Sequence, residues 1–263
     1  MDYIKGNKQA WEEAFEHRHE GWCGDMLRRL QSEELPYMNE MLKTALRSLK
    51  LKNKAIAQFC CNNGRELLSA MQLGAKAGYG FDIAENMIAQ ANEVAKQAKL
   101  NCTFTARNIL EIGDEYNETF DLVLFTIGAI TWFEDLEALF SAAARCLKPG
   151  GVLLLNDFHP FVCMLPLPDE DAFDPNATNR VVYSYFRKDP WLEQNSGGYM
   201  THHQNSHTFT SFSHTMGSIV NAAVAAGLQI QALQEFDTDI GMTDVYNGKG
   251  FPLSFTLTAK KAG

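Results

Sequence analysis

No run in this chain of 263 residues is apolar over the roughly 18 positions that a membrane-spanning helix needs. Its first stretch, with Lys5, Lys8, Glu12, Glu13 and Glu16, lacks the apolar middle of a signal peptide. Both absences predict a soluble, cytoplasmic protein with no membrane partner. Basic residues are in deficit, 23 Lys and Arg against 32 Asp and Glu, for a formal charge of −9. Such a chain has no general basic face for a phosphate backbone, so no nucleic-acid partner is expected. The six cysteines, at 23, 60, 61, 102, 146 and 163, make neither a CxxC pair nor a zinc spacing. His203 and His207 stand four apart, the spacing of a zinc pair on a helix. Gly197 and Gly198 upstream, with Ser206, Thr208 and Thr210 around the pair, favour strand or loop, and no metal is expected. Internal repeats and low-complexity tracts are lacking as well.

What is present is apolar residues in patterned runs, 46% of the chain, enough for the core of one α/β domain. The stretch from Ala55 to Ile88 organises the rest. Ala55 to Phe59 has strand length, Cys60 to Gly64 is a turn, Arg65 to Leu73 carries Leu67, Leu68 and Met71 at helical spacing, and Ala77 to Ile83 is strand again. A strand that turns into a helix N-terminus aims free N–H groups at a ligand. Asp82 follows Gly64 by 18 residues, close to the ~20-residue offset at which a carboxylate reaches ribose hydroxyls. The geometry suits an adenosine-containing cofactor. The turn holds Cys60, Asn62 and Gly64 where a dinucleotide fingerprint wants glycines, which points to a cofactor without a pyrophosphate. Cys60 and Cys61 read as small packing residues or as nucleophiles, and free cysteine is more often the former.

The alternation continues downstream. Glu85 to Ala98 is an amphipathic helix, Cys102 to Arg107 a strand, Phe120 to Ile127 an almost wholly apolar central strand, and Asp135 to Leu147 a helix. Pro149 and Gly150 preset a type II turn ahead of a strand at Val152 to Asn156. Residues 157 to 213 break the pattern. They hold His159, Tyr183, Trp191, Tyr199, His202 and His203, and Pro160, Pro166, Pro168 and Pro175 forbid one long helix. Ser213 or Thr215 caps a helix that ends at Gly227, and Leu228 to Phe236 and Pro252 to Ala259 are the last two strands. Before the first strand, Trp11 and Phe15 share a helix face, and Pro36 is expected to open a second helix with Tyr37, Met41, Ala45 and Leu49 buried. The first helix reads either as an edge helix of the sheet or as a flap over the site.

The stretch from Ala55 to Phe158, and more loosely Ser213 to Lys261, resembles the class I S-adenosylmethionine-dependent methyltransferases. Its marks are the Gln58 to Gly64 turn, Asp82, and Leu147-Lys148-Pro149-Gly150-Gly151. The resemblance implies a Rossmann-like α/β fold: a doubly wound, mostly parallel sheet of seven strands, the last one antiparallel. It divides a single domain into an N-terminal helical extension at 1–53, a cofactor-binding core at 54–159, a lid inserted after the fifth strand at 160–212, and C-terminal helix and strands at 213–263. It implies S-adenosylmethionine as cofactor and S-adenosylhomocysteine as product. On the matching positions it places Phe59, Cys60, Asn62, Gly64, Asp82, Ile83, Met87, Asn108, Ile109, Thr126, Ile127 and Gly128 at the cofactor, with Asn108 on the adenine amine. Gln58 stands where the family carries an acid, which removes a counter-charge for the methionine ammonium. Trp132, Trp191, Tyr199 and His202 are expected at the acceptor, under a lid independent of the cofactor. His159, directly beyond the fifth strand, is the expected base, and a hydrogen bond to lid backbone is its other reading. The function expected is direct methyl transfer to a small-molecule acceptor. A macromolecular acceptor and a non-catalytic S-adenosylmethionine-binding protein stand beside it, and the chain is a monomer or a homodimer.

Overall fold

The computed structural model describes residues 3–195 and 198–263. Three helices precede the first strand: α1 (Tyr3–Glu16), α2 (Met26–Ser32) and α3 (Glu40–Ser48). The second was not expected, and the third starts later than Pro36. Tyr37 takes a left-handed φ of 67°, which no helix accommodates. Asn39 then caps α3, its side-chain oxygen accepting the Leu42 N–H at 2.8 Å, and the residues that bury are Leu42 and Leu46.

The strand, turn and helix units follow in order: β1 (Ala55–Phe59), α4 (Arg65–Ala70), β2 (Ala77–Asp82), α5 (Glu85–Ala98), β3 (Cys102–Ala106), β4 (Phe120–Phe125), α6 (Leu136–Cys146) and β5 (Leu147–Phe158). β5 is longer than expected because it includes the Pro149-Gly150 turn. Gly150 has a φ of 76°, and the register against β4 slips between Phe120 and Leu122. A separate two-stranded hairpin, β6 (Trp191–Glu193) and β7 (Phe209–Ser211), precedes α7 (Met216–Ala225), β8 (Leu228–Phe236) and β9 (Ser254–Lys261). Thr215 caps α7 in a capping box with Ser218.

The main sheet has seven strands in the order β3-β2-β1-β4-β5-β9-β8, with β9 antiparallel to both neighbours and the other pairings parallel. This is the doubly wound, Rossmann-like methyltransferase fold. β4 reads as an unbroken apolar run because both its faces are covered. Leu122 and Leu124 pack toward α3 and α4, while Val123 and Phe125 pack toward α6. Each of those side chains, fully buried, contributes about 1.5–3 kcal/mol of transfer free energy. The strand order reverses between β1 and β4, and open α/β sheets bind ligands beyond the carboxyl ends of the strands at such a point.

Candidate active site

β1 leaves the sheet through the turn Cys60 to Gly64, in which Cys60, Asn62 and Gly64 hold left-handed φ angles of 55°, 51° and 77°. Asn bears that conformation readily; Cys60 bears it at a cost of about 1–3 kcal/mol. A side chain at Gly64 would strike the Phe104 ring as well. What holds the turn is Asp82 at the tip of β2. Its Oδ2 accepts the Asn62 N–H at 2.7 Å and its Oδ1 the Ala84 N–H at 3.1 Å. A carboxylate offers about four lone-pair sites, so acceptor capacity remains for ribose hydroxyls. Burial raises the Asp82 pKa against the pull of its N–H donors. Cys60 is raised too, by burial first and then by Asp82 and Asp157, which keeps the thiol protonated and argues for packing over nucleophilic chemistry. Cys60 and Asp82 are both half-buried.

The cover over this turn comes from two distant segments. α1 is bound to residues 199–211 by a set of hydrogen bonds. Asn7 pairs with both backbone groups of Thr210 at 2.7 and 2.8 Å, Asn205 donates to the Ala10 carbonyl at 2.6 Å, and Glu13 accepts from the Ser206 and His207 N–H groups. His203 Nε2 approaches Glu13 at 3.3 Å, and the His17 and His203 rings stack at 3.8 Å. Beneath this seam, Trp11 meets Trp132 and Phe209 edge-on at 5.2 and 5.0 Å, and Met87, Ala84 and Trp22 join the same apolar cluster. Tyr199, 48% exposed, ties this cover to the turn, its hydroxyl accepting from the Asn62 side-chain amide at 2.9 Å.

At the end of β4, Thr126 Oγ1 accepts from Gln58 Nε2 at 2.8 Å, and Gln58 Oε1 is buried without a partner. Gly128 has a φ of 79°, and an added Cβ there would meet only Phe158, at 3.7 Å, so the backbone borders open space. Ile127 is 37% exposed. Asp157, absent from the expected site, sits at the end of β5 with Oδ1 accepting from Gly128 and Phe158 at 2.5 and 2.8 Å. Its Oδ2 is buried and unpartnered, and burial pushes its pKa up to about 7.

The structure therefore brings together Cys60, Asn62, Gly64, Asp82, Met87, Trp132 and Tyr199. Phe59 is core, packed between Phe81 and Phe125, and offers only its backbone. Ile83 follows Asp82 and is half-buried, Ile109 is buried in the core, and Asn108 spends its side-chain oxygen on the Leu110 N–H at 3.1 Å, leaving its amide N–H groups for an adenine. The insertion after β5 divides. Val162 and Leu165 pack on Tyr246 and Leu253 near the C-terminal strands, whereas 199–211 is bonded to α1 and the turn after β1. Trp191 lies on the hairpin under Arg187, its Nε1 donating to Ser213 at 2.8 Å, and His202 is exposed. His159 is buried. Its Nδ1 accepts the Phe161 N–H at 3.0 Å and its Nε2 lies 2.9 Å from Glu235 Oε1, close but not aligned as a hydrogen bond. Residues 199–208 are irregular rather than helical, and Gly197 lies outside the described residues. Sequence reasoning passed over Asp157 and Arg65. An acid at the tip of an apolar strand was the available signal for Asp157, the same one that marked Asp82.

Residues 56–151 match the model of a methyltransferase domain. No curated protein matches the chain. Among solved structures, an S-adenosylmethionine-dependent methyltransferase from Mesorhizobium loti is 21% identical with a TM-score of 0.62, over 88% of this chain and 100% of that one. Another from Clostridium acetobutylicum is 15% identical with a TM-score of 0.59, over 91% and 96%. The geranyl diphosphate C-methyltransferase of Streptomyces coelicolor, bound to S-adenosyl-L-homocysteine, is 12% identical with a TM-score of 0.61, over 100% and 98%. At these identities the likeness is one of fold.

Proposed function

We propose, from the premise that the chain is a class I S-adenosylmethionine-dependent methyltransferase, that its acceptor is a small molecule methylated directly. The observation that carries the proposal is the cover. α1 and residues 199–211 close over the cofactor turn with Trp11, Trp132, Tyr199 and Phe209, which suits an enclosed small acceptor better than a polymer surface. The net charge of −9 is likewise unfavourable for an RNA acceptor. The geranyl diphosphate enzyme is a small-molecule methyltransferase of the same fold.

The cofactor fits the donors present. Asp82 has acceptor capacity for ribose hydroxyls, Asn108 has free amide N–H groups, and the buried Gln58 Oε1 is an acceptor awaiting a donor such as an ammonium group. Thr126 and Gly128 border the reacting end. The cofactor supplies an already activated methyl group. The protein's part is alignment and exclusion of water, which the cover performs. Cys60, held protonated, is not needed as a nucleophile.

S-Adenosylmethionine or S-adenosylhomocysteine is expected to raise the melting temperature, by up to about 2.7 kcal/mol of stability at a hundredfold excess over Kd, with NAD inert. Turnover on a panel of small phenols, amines and carboxylates then tests the acceptor. Stabilisation by NAD in place of the sulfonium would overturn the cofactor assignment, and methylation of RNA or protein alone would overturn the acceptor.

A further inference from the structure

Arg65, the first residue of α4, follows the turn directly and carries a charge that none of the proposed cofactor contacts uses. Three quarters of its side chain is covered, with 26% exposed. The Trp22, Tyr37 and Tyr199 rings surround its guanidinium carbon at 5.9, 5.8 and 5.9 Å. Its Nε donates to Glu66 at 2.8 Å, and one terminal nitrogen meets only the Cys23 thiol, at 3.9 Å. Among the described residues, no oxygen takes a hydrogen bond from the two terminal nitrogens. A guanidinium packed among three rings, with terminal N–H groups that no protein oxygen takes, presents open donors that an anion can complete. Tyr199 stands beside it, and because the Tyr199 hydroxyl accepts from Asn62, its own proton is free to donate.

We infer that Arg65 and the Tyr199 hydroxyl form a carboxylate anchor beside the cofactor turn, an assignment that rests on the methyltransferase reading. The fork of terminal N–H groups matches a planar carboxylate in two parallel hydrogen bonds. Glu66 already offsets much of the Arg65 charge, which favours a monoanion over a phosphate. Two carboxylates qualify, the aminoacyl end of the cofactor and an acidic acceptor.

Calorimetric titration of the full chain separates them, using S-adenosylhomocysteine and 5′-deoxy-5′-methylthioadenosine, which shares the nucleoside and thioether but has no carboxylate. If the cofactor is the source, Arg65→Gln weakens S-adenosylhomocysteine by about tenfold or more and leaves methylthioadenosine within about twofold, and Arg65→Lys recovers part of the loss. If an acceptor is the source, both nucleosides bind as in the parent, while KM rises about tenfold for carboxylic acid acceptors and not for their amides. Equal weakening of both nucleosides, or no change in either them or KM, overturns the anchor. A parent that binds neither nucleoside fails the methyltransferase reading itself, and the anchor with it. Melting temperatures of the variants, read alongside, exclude misfolding as the cause of any loss.

Discussion

The Asn62 side chain and the Tyr199 hydroxyl are hydrogen-bonded at 2.9 Å across 137 residues of sequence, which ties the insertion after β5 to the turn after β1. The sequence expectation set Tyr199 on an acceptor lid independent of the cofactor; its bond to this turn instead predicts a part in holding the cofactor. Tyr199→Ala is expected to weaken S-adenosylhomocysteine by about tenfold, from one hydrogen bond and the lost ring contacts with Trp11 and Trp22. Tyr199→Phe, which keeps the ring, should lose less. Trp191→Ala, on the hairpin, where the ring packs on Tyr183 and Arg187, should leave that affinity within about threefold. Equal loss in the Tyr199 and Trp191 variants would return the whole insertion to one role.

Asp82 braces the turn through Asn62 and Ala84, and in the proposed function it also offers oxygens to a ribose. Asp82→Ala removes both, so a loss of cofactor affinity of tenfold or more is expected, at about 1.5–3 kcal/mol for each charge-assisted bond. Asp82→Asn retains one acceptor oxygen and should be milder. An Ala variant that binds S-adenosylhomocysteine as tightly as the parent in calorimetry would remove Asp82 from the site.

The main sheet was legible because its strands stand out locally as apolar or alternating runs between turn residues, and the offset from Gly64 is what drew attention to Asp82. The cover was not. The Asn7 pairing with Thr210 joins positions 203 residues apart, and no periodicity within either segment encodes it. Pro36 misled for a related reason. Proline suits a helix start, but Tyr37 is left-handed here and the cap passes to Asn39, whose amide also donates to Asn156 at 2.7 Å, a tertiary contact invisible to local pattern. Cys60 and Asn62 show how far a turn departs from glycine when an acid across the sheet holds it.

His159 was expected to act as a base, and the structure gives its Nδ1 to the Phe161 N–H as the cap of the short helix at Pro160–Met164. Burial lowers its pKa, with Glu235 opposing. His159→Asn, which retains a capping oxygen, is expected to keep kcat within about threefold of the parent, and His159→Ala to cost about 1 kcal/mol of stability from the lost cap. A positioned base contributes typically 10²–10⁴-fold, so a rate loss of that size in both folded variants would restore the catalytic role.

Asp157 should write itself into the pH dependence of stability. Its carboxyl is wholly buried and holds its proton to about pH 7, whereas an unfolded Asp releases it near 3.8. Between those values the folded chain binds more protons at this group than the unfolded one, so ΔG of unfolding falls as pH rises. The stabilisation is full below the unfolded pKa and is lost on passing through about 7. At 1.36 kcal/mol per pH unit the whole span is on the order of 4 kcal/mol. Asp157→Asn removes the titration while keeping an oxygen for Gly128 and Phe158, so denaturant melts of the variant should vary less between pH 5 and 8 than those of the parent, at roughly the ~1.4 kcal/mol per unit the acid supplies. Parallel profiles for the two proteins would mean that Asp157 is ionised throughout, and that its unpartnered Oδ2 carries no proton in the folded state.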